Sequence, residues 1–255
     1  MASWVLVTGA TSGIGESFTR LLAENNYNIV LVARDMPRLQ ERARELEAKF
    51  RVKTHIIQAD LSTDAGCAVV EHYIANNQVD VLINNAGFGL NKAFTISALD
   101  AEQQMFDVLV RTPMRLMHVA LPLMKQRNKG VIINVSSVAG YIAGGSYSAA
   151  KSYLTVLSES LHTELAGTKI KISALCPGFT RTEFHQRGRM SMKGLPSFMW
   201  LDSDKLVAKS WSDALKGKAV SVPGWQYQLL VFVIQTLPRS IIRKVGMNLR
   251  KKQRK

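Results

Sequence analysis

Short apolar runs alternate along this chain with longer stretches of helical periodicity, and no other feature restricts the fold as much. WVLVT (4–8), IVLVA (29–33), THIIQA (54–59), VDVLI (79–83), VIINVS (131–136), KIKISALC (169–176) and AVSVP (219–223) read as strands. The first is continuously apolar, as a strand covered on both faces must be. Residues 13–25, 36–50, 63–77, about 101–125 and 147–166 read as helices. The order predicts an α/β fold: one doubly wound parallel sheet of about seven strands with helices on both faces. Right-handed crossovers then bring every strand's carboxyl end to one edge, where such sheets bind ligands. Residues 184–202 break the alternation and are the expected substrate cover. The 255 residues suit one large unit, taken as 1–237, followed by a basic tail, 238–255.

With 47% hydrophobic and 20% charged residues, the chain can bury a substantial core. Cys67 and Cys176 stand far apart without C-x-x-C or histidine partners, so both read as reduced packing residues. MASWVLVTG enters a strand with no basic n-region or cleavage site, and YQLLVFVIQTL (227–237) is shorter than the roughly 20 residues a bilayer requires. A cytoplasmic protein is therefore expected. The charge is uneven: of a net +14, the last 18 residues carry eight Lys/Arg and no acid, leaving 14 − 8 = +6 elsewhere. Such a tail suits peripheral contact with an anionic membrane at its inner face, or packing on the sheet or a second subunit. It lacks the aromatic interleaving or module of a nucleic-acid binder, and no metal-ligand cluster is present.

The first strand ends in TGATSGIG (8–15). Gly9, Gly13 and Gly15, with Thr11, Ser12 and Ile14 between them, form a strand-to-helix turn in the order G-x-x-x-G-x-G. Glycine permits positive φ and leaves room for backbone to approach a phosphate, and the helix start directs N–H groups at an anion. The second strand ends at Ala33-Arg34, where an NAD site would place an acid; the Arg34 guanidinium suits a 2′-phosphate, so NADP (as NADPH) is expected over NAD, with Asp35 the opposing signal. Asp60, beside Leu61 after the third strand, suits an adenine amino group or a helix cap. NNAG (84–87) supplies Asn85, Ala86 and Gly87 as a wall for a flat ring. Tyr147 and Lys151 in YSAAK lie one helical turn apart, so one cation can tune one phenol.

TGATSGIG, NNAG, the Ser136-Ser137 pair, Tyr147-x-x-x-Lys151 and Pro177-Gly178 follow one another in register. This order resembles the single-domain short-chain dehydrogenases/reductases over roughly residues 4–223, and 158–187 resembles bacterial oxidoreductases of unsettled substrate. The resemblance implies a Rossmann fold and hydride transfer between a nicotinamide and an apolar carbonyl/alcohol substrate. It makes Tyr147 the general acid or base, Lys151 its tuning cation and ribose ligand, and Ser137, or else Ser136, the substrate-oxygen donor. It places Pro177 and Gly178 along the nicotinamide and Thr180 near the carboxamide or pyrophosphate. It also implies a homodimer or homotetramer. Two departures stand out. The Ser137–Tyr147 interval of ten residues is short. Leu109 replaces the family's helix asparagine, whose carbonyl holds a relay water; Pro113, lacking an N–H, would leave the Leu109 carbonyl open for that water. These departures favour, as an alternative, a cofactor-binding sensor or scaffold. Phe184, Met190, Met192, Leu195, Phe198, Met199 and Trp200 read as either an apolar pocket or a packed underside, and His185 as a surface residue.

Overall fold

The computed structural model describes residues 3–183 and 196–244. Seven strands form one parallel sheet: β1 (Trp4–Thr8), β2 (Asn28–Ala33), β3 (Thr54–Gln58), β4 (Val81–Asn84), β5 (Gly130–Val135), β6 (Ile170–Leu175) and β7 (Val220–Ser221). Their order is β3-β2-β1-β4-β5-β6-β7, every neighbouring pair parallel. The chain reverses its direction of travel across the sheet between β1 and β4, which opens a crevice at their carboxyl ends.

The two faces follow from the two-residue period of a strand. Val5, Val7, Ile29, Leu31, Ile83, Ile133 and Leu175 point to one side and are covered by helices α1 (Gly13–Glu24) and α2 (Met36–Phe50). Leu6, Val30, Val32, Leu82, Ile132 and Ile172 point to the other. There they meet α3 (Asp64–Asn76), α5 (Thr112–Arg127) and α6 (Ser146–Glu164). Because both faces are covered, the central strands read as unbroken apolar runs, as the expected Rossmann-type sheet requires.

The helix expected over 101–125 is not continuous. It comprises α4 (Leu99–Phe106), a π-helical segment (Asp107–Arg111) and α5. In the widened turn the Thr112 N–H bonds the Asp107 carbonyl, five residues back. Pro113 supplies no N–H to the carbonyl four residues before it, and widening the turn is one way a helix accommodates that loss. A further helix, α7 (Ser203–Leu215), packs beside α1 on the first face through Leu206, Val207 and Trp211. The alternation of apolar runs did not disclose it. After β7, α8 (Trp225–Thr236) follows, and residues 239–244 are helical again, with Ile242 buried.

Candidate active site

The glycine turn is built for close approach. Gly9 and Gly13 have φ of 65° and 57°, the left-handed region that glycine enters without strain. A Cβ on Gly15 would lie 2.2 Å from the Gly9 carbonyl oxygen. The first turn of α1 differs from those of three other helices. Asp35, Thr63 and Asp202 cap α2, α3 and α7 through their side chains, whereas Ser12 makes no side-chain cap. Among the described residues no carboxylate or hydroxyl is bound to the N–H groups opening α1, which leaves them able to receive an anion. The residues present fit a dinucleotide's pyrophosphate.

The NNAG turn is bonded directly to this one. Asn85 Nδ2 donates to the carbonyls of Thr8 (2.8 Å) and Gly9 (3.1 Å), and Thr8 Oγ1 accepts from the Asn85 and Ala86 N–H groups at 2.9 and 3.0 Å. Gly87 then faces two other elements. A Cβ there would lie 2.8 Å from Leu109 Cδ2 and 3.8 Å from Lys151 Nζ.

Lys151 is buried, and its Nζ donates to the Val135 carbonyl at the end of β5, 2.6 Å away. The same ammonium stands 5.8 Å from the centroid of the half-buried Tyr147 ring. Burial pushes the Lys151 pKa down to about 8, with Cys176 opposing the shift. Tyr147 and Lys151 thus lie at the edge that carries the glycine turn. Tyr147 packs against a buried cluster of Met105, Leu109, Val110 and Ala150. Leu109, in place of a polar side chain, makes this wall apolar.

The two serines separate cleanly. Ser136 is buried, and its hydroxyl bonds the Lys151 carbonyl and Thr155 Oγ1, each at 2.7 Å, so it anchors β5 to α6. Ser137 is half-buried and its Oγ accepts from the Ala139 N–H at 3.1 Å. That bond uses a lone pair and leaves the hydroxyl proton for another acceptor.

Further along the same edge, Arg34 is exposed just beyond β2. Asp35 is committed to α2, its carboxylate accepting from the Arg38 N–H at 3.1 Å. Asp60 accepts from Ser62 N and Oγ at 3.0 and 2.8 Å. Burial alone would raise its pKa, but these bonds and the Arg34 charge leave the carboxyl below its ordinary value. Asp60 does not cap α3; Thr63 does so. Leu61 is buried, and its carbonyl accepts from Thr112.

Beyond β6, the Pro177 carbonyl accepts from Val138 N–H at 3.0 Å, and Thr180 is buried with its hydroxyl on the Gly178 carbonyl, 3.0 Å away. Leu201 N–H donates to the Phe179 carbonyl at 2.8 Å, bringing 196–202 back beside this loop. Trp200 packs near Phe179, Met199 is half-buried, and Phe198 is 61% exposed and faces outward. Phe184, His185, Met190, Met192 and Leu195 lie outside the described residues.

Four further residues escaped the sequence reading. Thr182 lies over Gly13, its Cγ2 2.9 Å from where a Cβ would be. Arg38 forms a bidentate pair with Glu183 at 2.9 and 3.2 Å. Tyr227 lies flat on Gly178, accepts from Phe179 N–H (2.9 Å) and donates to the Met199 carbonyl (2.6 Å). None stands in a motif; Tyr227 sits in a run of apolar and amide residues that offers no local signal.

Comparison with known proteins agrees with this geometry. Residues 3–192 match the family model described as short chain dehydrogenase. A Staphylococcus epidermidis protein named only as an uncharacterized oxidoreductase is 31% identical over 185 residues, 69% of this chain and 77% of its own. The very-long-chain 3-oxoacyl-CoA reductase of Macaca fascicularis is 26% identical over 262 residues, covering 100% of this chain and 81% of its own. Among solved structures, a short-chain dehydrogenase from Sphingobium yanoikuyae in complex with NADPH superposes with a TM-score of 0.84 at 29% identity, over 91% of this chain and 93% of that one. By fold, motif order and family match, the chain belongs to the short-chain dehydrogenase family of oxidoreductases.

Proposed function

We propose that the protein transfers a hydride between NADPH and an apolar carbonyl/alcohol pair, with Tyr147 as general acid or base. The observation that carries this reading is the Lys151 ammonium, buried between the Gly87 turn and the Tyr147 ring. Gly9, Thr11, Ser12, Gly13, Ile14 and Gly15 would hold the pyrophosphate, Arg34 the 2′-phosphate, and Asp60 and Leu61 the adenine side. Asn85, Ala86, Gly87, Pro177, Gly178 and Thr180 would flank the nicotinamide, which supplies the hydride when bound. The commitment of Asp35 to capping α2 supports the 2′-phosphate assignment, since that carboxylate is already engaged by a backbone N–H.

In the reducing direction the Tyr147 phenol gives its proton to the carbonyl oxygen as the carbon accepts the hydride. The phenolate that remains is stabilised by the ammonium of Lys151. Ser137 donates its hydroxyl proton to the same substrate oxygen and orients it. Ser136 stays bound to α6 throughout. The Leu109 carbonyl has no donor from Pro113, which supports it as acceptor for a water that returns a proton to Lys151.

The apolar wall of Met105, Leu109 and Val110 favours a bulky lipophilic ketone over a small polar one. The name of the macaque relative, a very-long-chain 3-oxoacyl-CoA reductase, points to the same class. We read residues 1–237 as the oxidoreductase unit, acting in the cytoplasm as a homodimer or homotetramer, and the basic segment 238–255 as a point of peripheral membrane contact.

Tyr147→Phe tests the reading directly. NADPH binding by fluorescence should persist, while kcat on a panel of lipophilic ketones falls by about 10²–10⁴. A second reading, cofactor binding with little catalysis, is favoured by Leu109. NADPH binding with no turnover on any ketone or aldehyde, unchanged by Tyr147→Phe, would establish it and remove the first.

A further inference from the structure

Helix α8 is apolar on two opposite faces. Its sequence, WQYQLLVFVIQT, contains no charged residue. Tyr227, Val231 and Ile234, at i, i+4 and i+7, are buried. With about 3.6 residues per turn, Trp225, Leu229, Phe232 and Val233 fall on the other side, and they are 72, 56, 65 and 41% exposed. Two of the three glutamines are engaged away from that side, Gln226 donating to the Phe198 carbonyl (3.0 Å) and Gln228 to the Val222 carbonyl (2.9 Å), and the exposed Gln235 lies at the end of the helix. Phe198, exposed on the adjoining segment, extends the patch. A helix apolar all round is ordinarily covered all round, and a large exposed apolar patch marks a contact surface.

The next residues indicate what covers it. Arg239, Arg243 and Lys244 are exposed within the helical stretch 239–244, beside the partly exposed Ile241. Across 238–255 there are eight Lys/Arg and no acid. A second copy docking by the same face would bring one cationic segment against another, which repels. An anionic lipid surface offers both complements, acyl chains for the aromatic and aliphatic side chains and phosphates for the basic ones.

We propose that α8 docks on an anionic bilayer. Trp225, Leu229 and Phe232 enter the boundary between headgroups and acyl chains, and Arg239, Arg243 and Lys244 bind lipid phosphates. Tyr227, on the opposite face of the same helix, holds Phe179 and Met199, so the docked helix is bonded to the rim of the candidate active site. Resting on the apolar-substrate reading above, this places the mouth of the site at the membrane from which a lipophilic carbonyl would partition.

The test is sedimentation of the full chain with vesicles of phosphatidylcholine alone or mixed with phosphatidylserine, at low and high salt. Wild type should bind the mixed vesicles, release in high salt and show a blue shift of tryptophan fluorescence. Trp225→Ser/Phe232→Ser should weaken binding at least about tenfold, and Arg239→Gln/Arg243→Gln/Lys244→Gln about a hundredfold, each with NADPH binding intact. If the apolar double variant loses NADPH binding, Leu229→Gln serves for the same comparison. Wild type that ignores anionic vesicles, or apolar variants that bind like wild type, overturn the proposal. So does a dimer in light scattering that only the apolar variants dissociate, with no vesicle binding, since that makes the face a self-interface. Vesicle binding without turnover of any ketone or aldehyde in the lipophilic panel upholds docking while removing the hydride-transfer reading.

Discussion

Lys151 shows at the residue scale what the candidate site costs the fold. A lysine of ordinary pKa 10.5 is held at about 8 by burial, so its charged form is disfavoured in the folded chain. Below pH 8 both folded and unfolded states carry the proton, and the folded state bears the whole penalty, on the order of 3 kcal/mol. Between pH 8 and 10.5 the folded lysine releases its proton while the unfolded one keeps it, and the penalty fades. Lys151→Met should therefore raise the stability of the cofactor-free protein at pH 7 by about 2 kcal/mol, after loss of the bond to the Val135 carbonyl. The gain should vanish towards pH 10.5, as read from denaturant midpoints, and turnover should be lost at every pH. Arg34 makes the opposite kind of contribution, exposed and inexpensive. Arg34→Ala should raise KM for NADPH about tenfold or more, leaving KM for NADH unchanged. Both residues were legible in the sequence because each stands in a motif. The choice between Ser136 and Ser137 was not, because two adjacent serines differ only in which way the end of β5 turns them.

The site at the scale of elements depends on two helix starts. Helix α1 begins without a side-chain cap, and its close packing on the first turn requires glycine. Gly15→Ala would force a Cβ to within 2.2 Å of the Gly9 carbonyl oxygen. NADPH affinity, measured by titration, should fall by at least about tenfold, because the turn must open to relieve the clash. The second is the π-helical segment before α5. It places Leu109 Cδ2 2.8 Å from the Cβ position of Gly87, so these two residues are a matched pair across the site. Pro113→Ala returns an N–H to the carbonyl of Leu109 and should tighten the turn towards α-helical spacing, lowering kcat more than it changes NADPH affinity. The run DVLVRTP disclosed the proline and the missing asparagine. It did not disclose the wide turn, since helical periodicity over so short a stretch does not separate four-residue from five-residue bonding.

Over the whole molecule, the carboxyl-terminal part ties together the segments that follow β6. Tyr227 joins α8 to the turn after β6 and to the segment ending at Leu201, three pieces separated by up to 48 residues. Tyr227→Phe keeps the ring on Gly178 but removes both bonds, leaving the Phe179 N–H and the Met199 carbonyl to find other partners. It should cost about 1–3 kcal/mol of stability and raise KM for a bulky ketone more than KM for NADPH. Burial pushes the Tyr227 hydroxyl's pKa up to about 12, so both bonds should persist across the working range of pH.

The sequence by itself determined the parallel sheet, the glycine turn and the pairing of Tyr147 with Lys151. Each depends on chemistry local to a few residues: alternation of apolar runs, the φ range open to glycine, and one turn of helix. Only the tertiary structure decided that Ser136 anchors α6 while Ser137 stays available, that Leu109 meets Gly87, and that Tyr227 packs on Gly178 and bonds the turn after β6. Those outcomes depend on which distant side chains arrive at the same few cubic ångströms. Packing and hydrogen-bond satisfaction settle that only once the crossovers have brought the strand ends together.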